Sequence, residues 1–254
     1  MKKLLSLFFV ITLFMLTACS KSSSPTGPAG EFPVTFKSTT LEDAVRSEIG
    51  KPTGTIYQSD VNNITYLSIS YETIDDVSGI EALKNLETLY ICGSGSDIRD
   101  VTPISRLANL KELHLGQNVN LTNLESLANC LQLKELYLNH CELTDIKFLN
   151  NFRSLIHLEL KENYDLESLD GIQGLSRLEY LHIKDCNVSD LTPLRNLTHL
   201  NDLRAPYNNI SDLSVCLTMP GFKNGYLCLY DNNFNNEAYK VIERLEANGA
   251  GVDY

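Results

Sequence analysis

A leucine period constrains this chain more than any other feature. Ile64, Leu86, Leu110, Leu133, Leu155, Leu178 and Leu200 are separated by 22, 24, 23, 22, 23 and 22 residues. Each opens the pattern L-x-x-L-x-L-x-x-[N/C]-x-L, seen in Leu178-Glu-Tyr-Leu181-His-Ile183-Lys-Asp-Cys186-Asn-Val188. A unit this short cannot bury an apolar face alone, so it must stack on its neighbours. Leu181 and Ile183 alternate with Tyr180, His182 and Lys184, which predicts a short strand with one face in the core and one in solvent. Strands from successive units pair in parallel, and Leu191, Leu194 and Leu197 return along the outer side. The expected fold is an α/β solenoid, a right-handed superhelix with a concave parallel β-sheet and capped ends.

This spacing, with the run Ser189-Asp-Leu-Thr-Pro-Leu194, resembles the leucine-rich repeats of bacterial proteins of the internalin type. The resemblance covers Phe36 to Tyr254 and implies about eight strands over residues 64–235, with a cap at each end. Residues 34–63 resemble the N-terminal cap. There Thr40 caps a short amphipathic helix carrying Leu41, Ala44, Val45 and Ile49, and Gly50 stops it. Residues 236–254 resemble a C-terminal cap, with Ala238, Val241, Ile242 and Leu245 on one helical face and Gly249 ending it.

Residues 1–18 read as an export signal, a positive start followed by an apolar run too short for a comfortable membrane span. The run ends in Leu16-Thr17-Ala18-Cys19, which resembles the bacterial lipobox and implies lipid attachment at Cys19. Two or more acyl chains there would anchor the chain stably. Residues 19–33, rich in Ser, Gly and Pro, form a flexible tether. The implied location is the cell envelope, and Ser20 after the cysteine points to the outer membrane of a Gram-negative cell. No second domain, sorting tail or later membrane span is expected.

The formal charge is −11, which disfavours nucleic acid because a phosphate backbone needs clustered Lys and Arg. Of the seven cysteines, Cys141 and Cys186 occupy the Asn position two repeats apart. Stacking would separate them by about 10 Å, beyond disulfide reach. The six cysteines other than Cys19 are read as free thiols.

Function is expected on the exposed strand positions. The central column is Ser68, Tyr90, His114, Tyr137, Glu159, His182, Arg204 and Cys228. The column before it is Tyr66, Thr88, Glu112, Glu135, His157, Tyr180, Asp202 and Tyr226. Strand propensity alone favours some aromatics here, but their concentration on this face suits recognition of a protein or a sugar. The expected contact patch is Tyr90, His114, Tyr137, His157, Glu159, Tyr180, His182 and Arg204. Glu159, with His182 beside it and His157 two residues earlier, is read as part of a plain Glu–His surface pair rather than a metal site, since zinc wants three or four convergent ligands. No phosphate loop, Gly-x-Ser-x-Gly elbow or His-Glu-x-x-His pair is present. The expectation is therefore a monomeric, non-enzymatic binding protein without cofactor. Its partner is a protein, the alternatives being a carbohydrate ligand or a structural role in envelope assembly.

Overall fold

The computed structural model describes residues 30–70, 72–93 and 96–254. The expected export signal, Cys19 and the expected tether up to residue 29 lie outside them. The N-terminal end, where a cap was expected, consists of β1 (Pro33–Val34), α1 (Thr39–Ile49), β2 (Ile56–Tyr57) and α2 (Gln58–Val61). Pro33–Val34 pairs antiparallel with Ile56–Tyr57. The helix α1 starts earlier than the sequence suggested. Its capping residue is Ser38, not Thr40: Ser38 is extended and its hydroxyl accepts from the Leu41 amide at 3.4 Å. Thr40 instead lies in the first turn and donates its hydroxyl to the Thr73 carbonyl at 2.8 Å, tying the cap to the first repeat. Leu41 and Val45 are fully buried, and Gly50 ends the helix in the left-handed conformation.

The repeats supply β3 (Tyr66–Ser70), β4 (Thr88–Cys92), β5 (Glu112–His114), β6 (Glu135–Tyr137), β7 (His157–Glu159), β8 (Tyr180–His182), β9 (Asp202–Arg204) and β10 (Tyr226–Cys228). They pair in parallel and in chain order, which aligns Leu67, Leu89, Leu113, Leu136, Leu158, Leu181, Leu203 and Leu227 in one buried row. The chain returns on the convex side through short 3-10 turns, including Ile104–Arg106, Lys147–Asn151 and Ile172–Gly174. Ile104, Leu149 and Ile172 bury the other side of the core there.

Where β5, β7, β9 and β10 leave the sheet, asparagine amides replace missing backbone partners. Asn163 donates to the carbonyls of Leu138 (3.0 Å) and Leu160 (2.7 Å) and accepts from the amides of Cys141 (3.1 Å) and Leu143 (3.0 Å), so one side chain stitches two repeats. Asn118, Asn208 and Asn232 donate in the same way. At the two cysteine positions the thiol takes over the donor role: Cys141 Sγ reaches the Leu115 carbonyl and Cys186 Sγ the Leu160 carbonyl, each at 3.3 Å. Cys92, Cys130, Cys141, Cys186, Cys216 and Cys228 are all free thiols.

At the far end, α3 (Asn236–Ala247) is capped by Asn235 and buries Ala238, Ile242 and Leu245. The sequence reading stopped the sheet at an eighth strand. The chain instead turns at Gly249 and adds β11 (Gly251–Asp253), parallel to β10, so the sheet has nine strands. Among the described residues no helix is long and apolar enough to cross a membrane.

Candidate recognition surface

The register places all eight expected contact residues on the concave face. Tyr90 is paired with His114, His114 with Tyr137, Tyr137 with Glu159, Glu159 with His182 and His182 with Arg204. In the neighbouring column Glu112, Glu135, His157, Tyr180 and Asp202 follow one another in the same way.

The rings do not stand independently. Tyr90 stacks on His114 at 3.7 Å between centroids, and His114 on Tyr137 at 3.8 Å. The contact then passes to the other column, Tyr137 to His157 at 4.9 Å and His157 to Tyr180 at 4.0 Å. Tyr66 extends this ribbon at one end, 5.7 Å from Tyr90. At the other end the Arg204 guanidinium lies over both Tyr180 and Tyr226, 5.1 and 5.6 Å from their centroids. From β3 to β10 the ribbon runs about 34 Å at the usual strand spacing. Parallel in-register stacking holds side chains of one column about 4.8 Å apart, close enough for flat rings to tilt into contact.

Carboxylates line the ribbon and hold its polar tips. Glu112 accepts from the Tyr90 hydroxyl at 2.6 Å and from His114 Nε2 at 2.7 Å, and Glu135 accepts from the Tyr137 hydroxyl at 2.8 Å. Arg204 is fixed by Asp202 through two bonds of 3.0 and 3.1 Å, and the Tyr226 hydroxyl donates to Asp253 on β11 at 2.6 Å. The expected Glu–His surface pair forms between Glu159 and His157, not with His182 on the facing strand. Glu159 is held by Lys161 at 2.9 Å, Asn139 at 3.0 Å and His157 at 3.4 Å, whereas His182 Nδ1 faces the Tyr180 hydroxyl at 3.2 Å. Lysine and amide donors satisfy a half-buried carboxylate better than a neutral imidazole.

These contacts set the charge states. Burial pushes the His182 imidazole down to about 4, and it also lowers His114, although Glu112 beside His114 pulls the other way. Burial opposes ionisation of Glu159, but the donors of His157, Lys161 and Asn139 outweigh it and hold the carboxyl at about 2. Burial raises the Tyr180 hydroxyl to about 12. At neutral pH the imidazoles of His114 and His182 and the phenol of Tyr180 are therefore neutral, and Glu159 is ionised.

Such a surface presents ring edges and paired polar tips. The faces of His114 and His157 are covered by their neighbours. Depressions include one of 580 Å³ beside Phe32, Val34 and Lys84, one of 390 Å³ beside Arg46 and Pro52, and one of 340 Å³ that reaches the sheet at Ser68 and Ser70. Sequence reasoning left Tyr66, Glu112, Glu135 and Tyr226 out of the patch. All four were already in its columns, and their role follows from side-chain directions that periodicity does not encode.

No protein-family model and no curated protein matches the sequence. Among solved structures, internalin C2 of Listeria monocytogenes superposes with a TM-score of 0.76 at 30% identity, over 89% of this chain and 97% of that one. An internalin of the same organism, InlF, gives a TM-score of 0.70 at 29% identity, over 81% of this chain and 61% of that one. The functional domain of InlJ from the same species, which includes a cysteine ladder, shares the fold at 20% identity, with a TM-score of 0.55 over 79% of this chain and 52% of its own. With the nine-stranded sheet, the repeat length and 30% identity across nearly all of internalin C2, the chain belongs to the internalin-like leucine-rich-repeat proteins.

Proposed function

We propose that this chain is a non-enzymatic recognition protein that binds a protein partner across its concave sheet and is held at the bacterial cell envelope by lipid on Cys19. One observation carries the reading: the unbroken ribbon from Tyr66 to Tyr226, whose rings and polar tips are already packed and paired. Rigid aromatic side chains bring contact area at low entropic cost, because little freedom remains to be lost on binding. Tyr90, His114, Tyr137, His157, Glu159, Tyr180, His182 and Arg204 form the patch, with Tyr137 and Tyr180 near its centre, where a partner excludes water most completely. The anchor rests on the lipobox at Leu16–Cys19 and on Ser20, which favours an outer-membrane destination in a Gram-negative cell.

Affinity capture from envelope and host extracts tests the binding, using the wild-type chain beside a Tyr137→Ala/His182→Ala variant of verified fold. A protein retained by the first and lost by the second supports the reading. Equal retention moves the site off the sheet, and displacement by free oligosaccharide reassigns the ligand to glycan. Metabolic labelling with palmitate, lost on Cys19→Ala, tests the anchor.

A further inference from the structure

Charge is distributed unevenly along the concave face. Among the described residues, the Lys and Arg ion pairs made by strand residues and those just after them fall on the β7 to β9 side: Lys161 with Glu159 (2.9 Å), Lys184 with Asp185 (3.4 Å) and Arg204 with Asp202 (3.0 Å), while Lys111 is taken up by Glu87 (2.7 Å) at the entries of β5 and β4. Glu112 and Glu135 lie directly opposite each other on β5 and β6. Among the described residues neither makes a salt bridge with Lys or Arg. Their partners are the hydroxyls of Tyr90 and Tyr137, the Thr88 hydroxyl at 3.4 Å, and the imidazole of His114, which burial keeps neutral at pH 7. Like charges directly opposite on a sheet are unfavourable, and both carboxylates are partly buried. The remaining strand positions of β3 and β4, namely Tyr66, Ser68, Ser70, Thr88, Tyr90 and Cys92, are uncharged. The face thus offers one uncompensated negative step in the middle of an aromatic ribbon.

Resting on the concave-face reading above, we infer that the partner docks a lysine- or arginine-bearing protein segment over β5 and β6, with Glu112 and Glu135 as its counter-charges. A guanidinium or ammonium there replaces neutral donors with charge-assisted hydrogen bonds and relieves the repulsion between the two carboxylates. Ring edges on either side accommodate the aliphatic stem of such a side chain. An acidic partner segment meets repulsion at this step, so the same pair selects against it.

The probe is a rhodamine-labelled hexa-arginine peptide titrated with the full chain by fluorescence polarisation, with a benzophenone-bearing copy to map contacts by cross-linking. Glu112→Gln/Glu135→Gln keeps the hydrogen-bond acceptors, and Glu243→Gln/Glu246→Gln removes the same net charge from the exposed side of α3. The expected result is a loss of roughly tenfold or more in affinity for the first variant and less than about twofold for the second, with cross-links at β4 to β6. Equal weakening by both variants, or no binding by either, overturns the inference. Cross-links confined to β8 to β10 also overturn it while leaving concave-face recognition standing. Cross-links only on the caps or convex side remove both.

Discussion

Tyr137 and His157 occupy neighbouring strands but different columns, with ring centroids 4.9 Å apart and planes inclined at 35°. This contact shifts the ribbon by one column, because the central position opposite Tyr137 is taken by Glu159. Energetic coupling should follow the rings and not the columns. Double-mutant cycles in urea should give about 0.5–1.5 kcal/mol for Tyr137 with His157 and for His157 with Tyr180, the usual worth of an aromatic pair. Tyr137 with His182 should couple by less than the error. Measurable coupling in that last pair would mean that the ribbon runs straight down the central column.

The columns were legible because two periods coincide in this sequence. Alternation at Leu181 and Ile183 sets which side chains face out, and the nearly constant repeat length sets which of them are neighbours. Neither period specifies rotamers, so the stacking of His114 and the preference of Glu159 for Lys161 over His182 stayed hidden. The terminal strand was missed for a related reason. Gly251-Val-Asp253 has one apolar residue and no alternation, and it becomes a strand only because β10 offers an open edge. At the other cap, Ser38 and Thr40 are equally suitable N-caps by type, and their places are decided by a tertiary contact, the bond from Thr40 to Thr73.

Acid should weaken the fold in two successive windows. His182 binds a proton in the unfolded chain near its ordinary value of 6.5 but resists it in the fold down to about 4, chiefly because it is buried. Between those values the unfolded state holds more protons, so stability falls as pH falls, by at most about 1.4 kcal/mol per pH unit from this group. Glu159 acts in the same direction at lower pH, from its ordinary value of 4.5 down to about 2. Unfolding free energies of the wild type and His182→Asn, measured from pH 7 to 4.5, should diverge, the variant losing less over that range. Parallel curves would show that His182 is not shielded as the structure has it.

The thiols should divide into two classes. Burial raises Cys130 to about 11 and Cys141, Cys186 and Cys216 to about 12, and all four lie within the core. Cys92 and Cys228 are only half-buried. Maleimide labelling at pH 7.5 followed by peptide mapping should modify Cys92 and Cys228 in the native protein and reach the other four only in denaturant. Because Cys141 stands in for the ladder asparagine, Cys141→Val should also cost about 0.5–1 kcal/mol by removing one of the two donors to the Leu115 carbonyl, which keeps Asn118. Native labelling of Cys141 or Cys186 would contradict a closed ladder.

Gly171 tests whether close contact between convex turns sets the repeat spacing. Its φ of +112° is itself unfavourable for an L side chain, and a Cβ there would sit 2.3 Å from the Ile146 carbonyl oxygen and 2.6 Å from the Lys147 Cα. Both obstacles are backbone of the preceding repeat, so relief requires the two turns to separate. Gly54 has a comparable φ of +88° but open space around it. Gly54→Ala should therefore carry the conformational penalty alone, about 1 kcal/mol, whereas Gly171→Ala adds the steric term and should reach roughly 3 kcal/mol or more. In a stacked array the loss falls on an interface between neighbouring repeats and spreads through the cooperative unit. Urea denaturation of both variants gives the difference directly. Equal destabilisation would mean that the convex turns can move apart at little cost, and the spacing would then be set by the sheet alone.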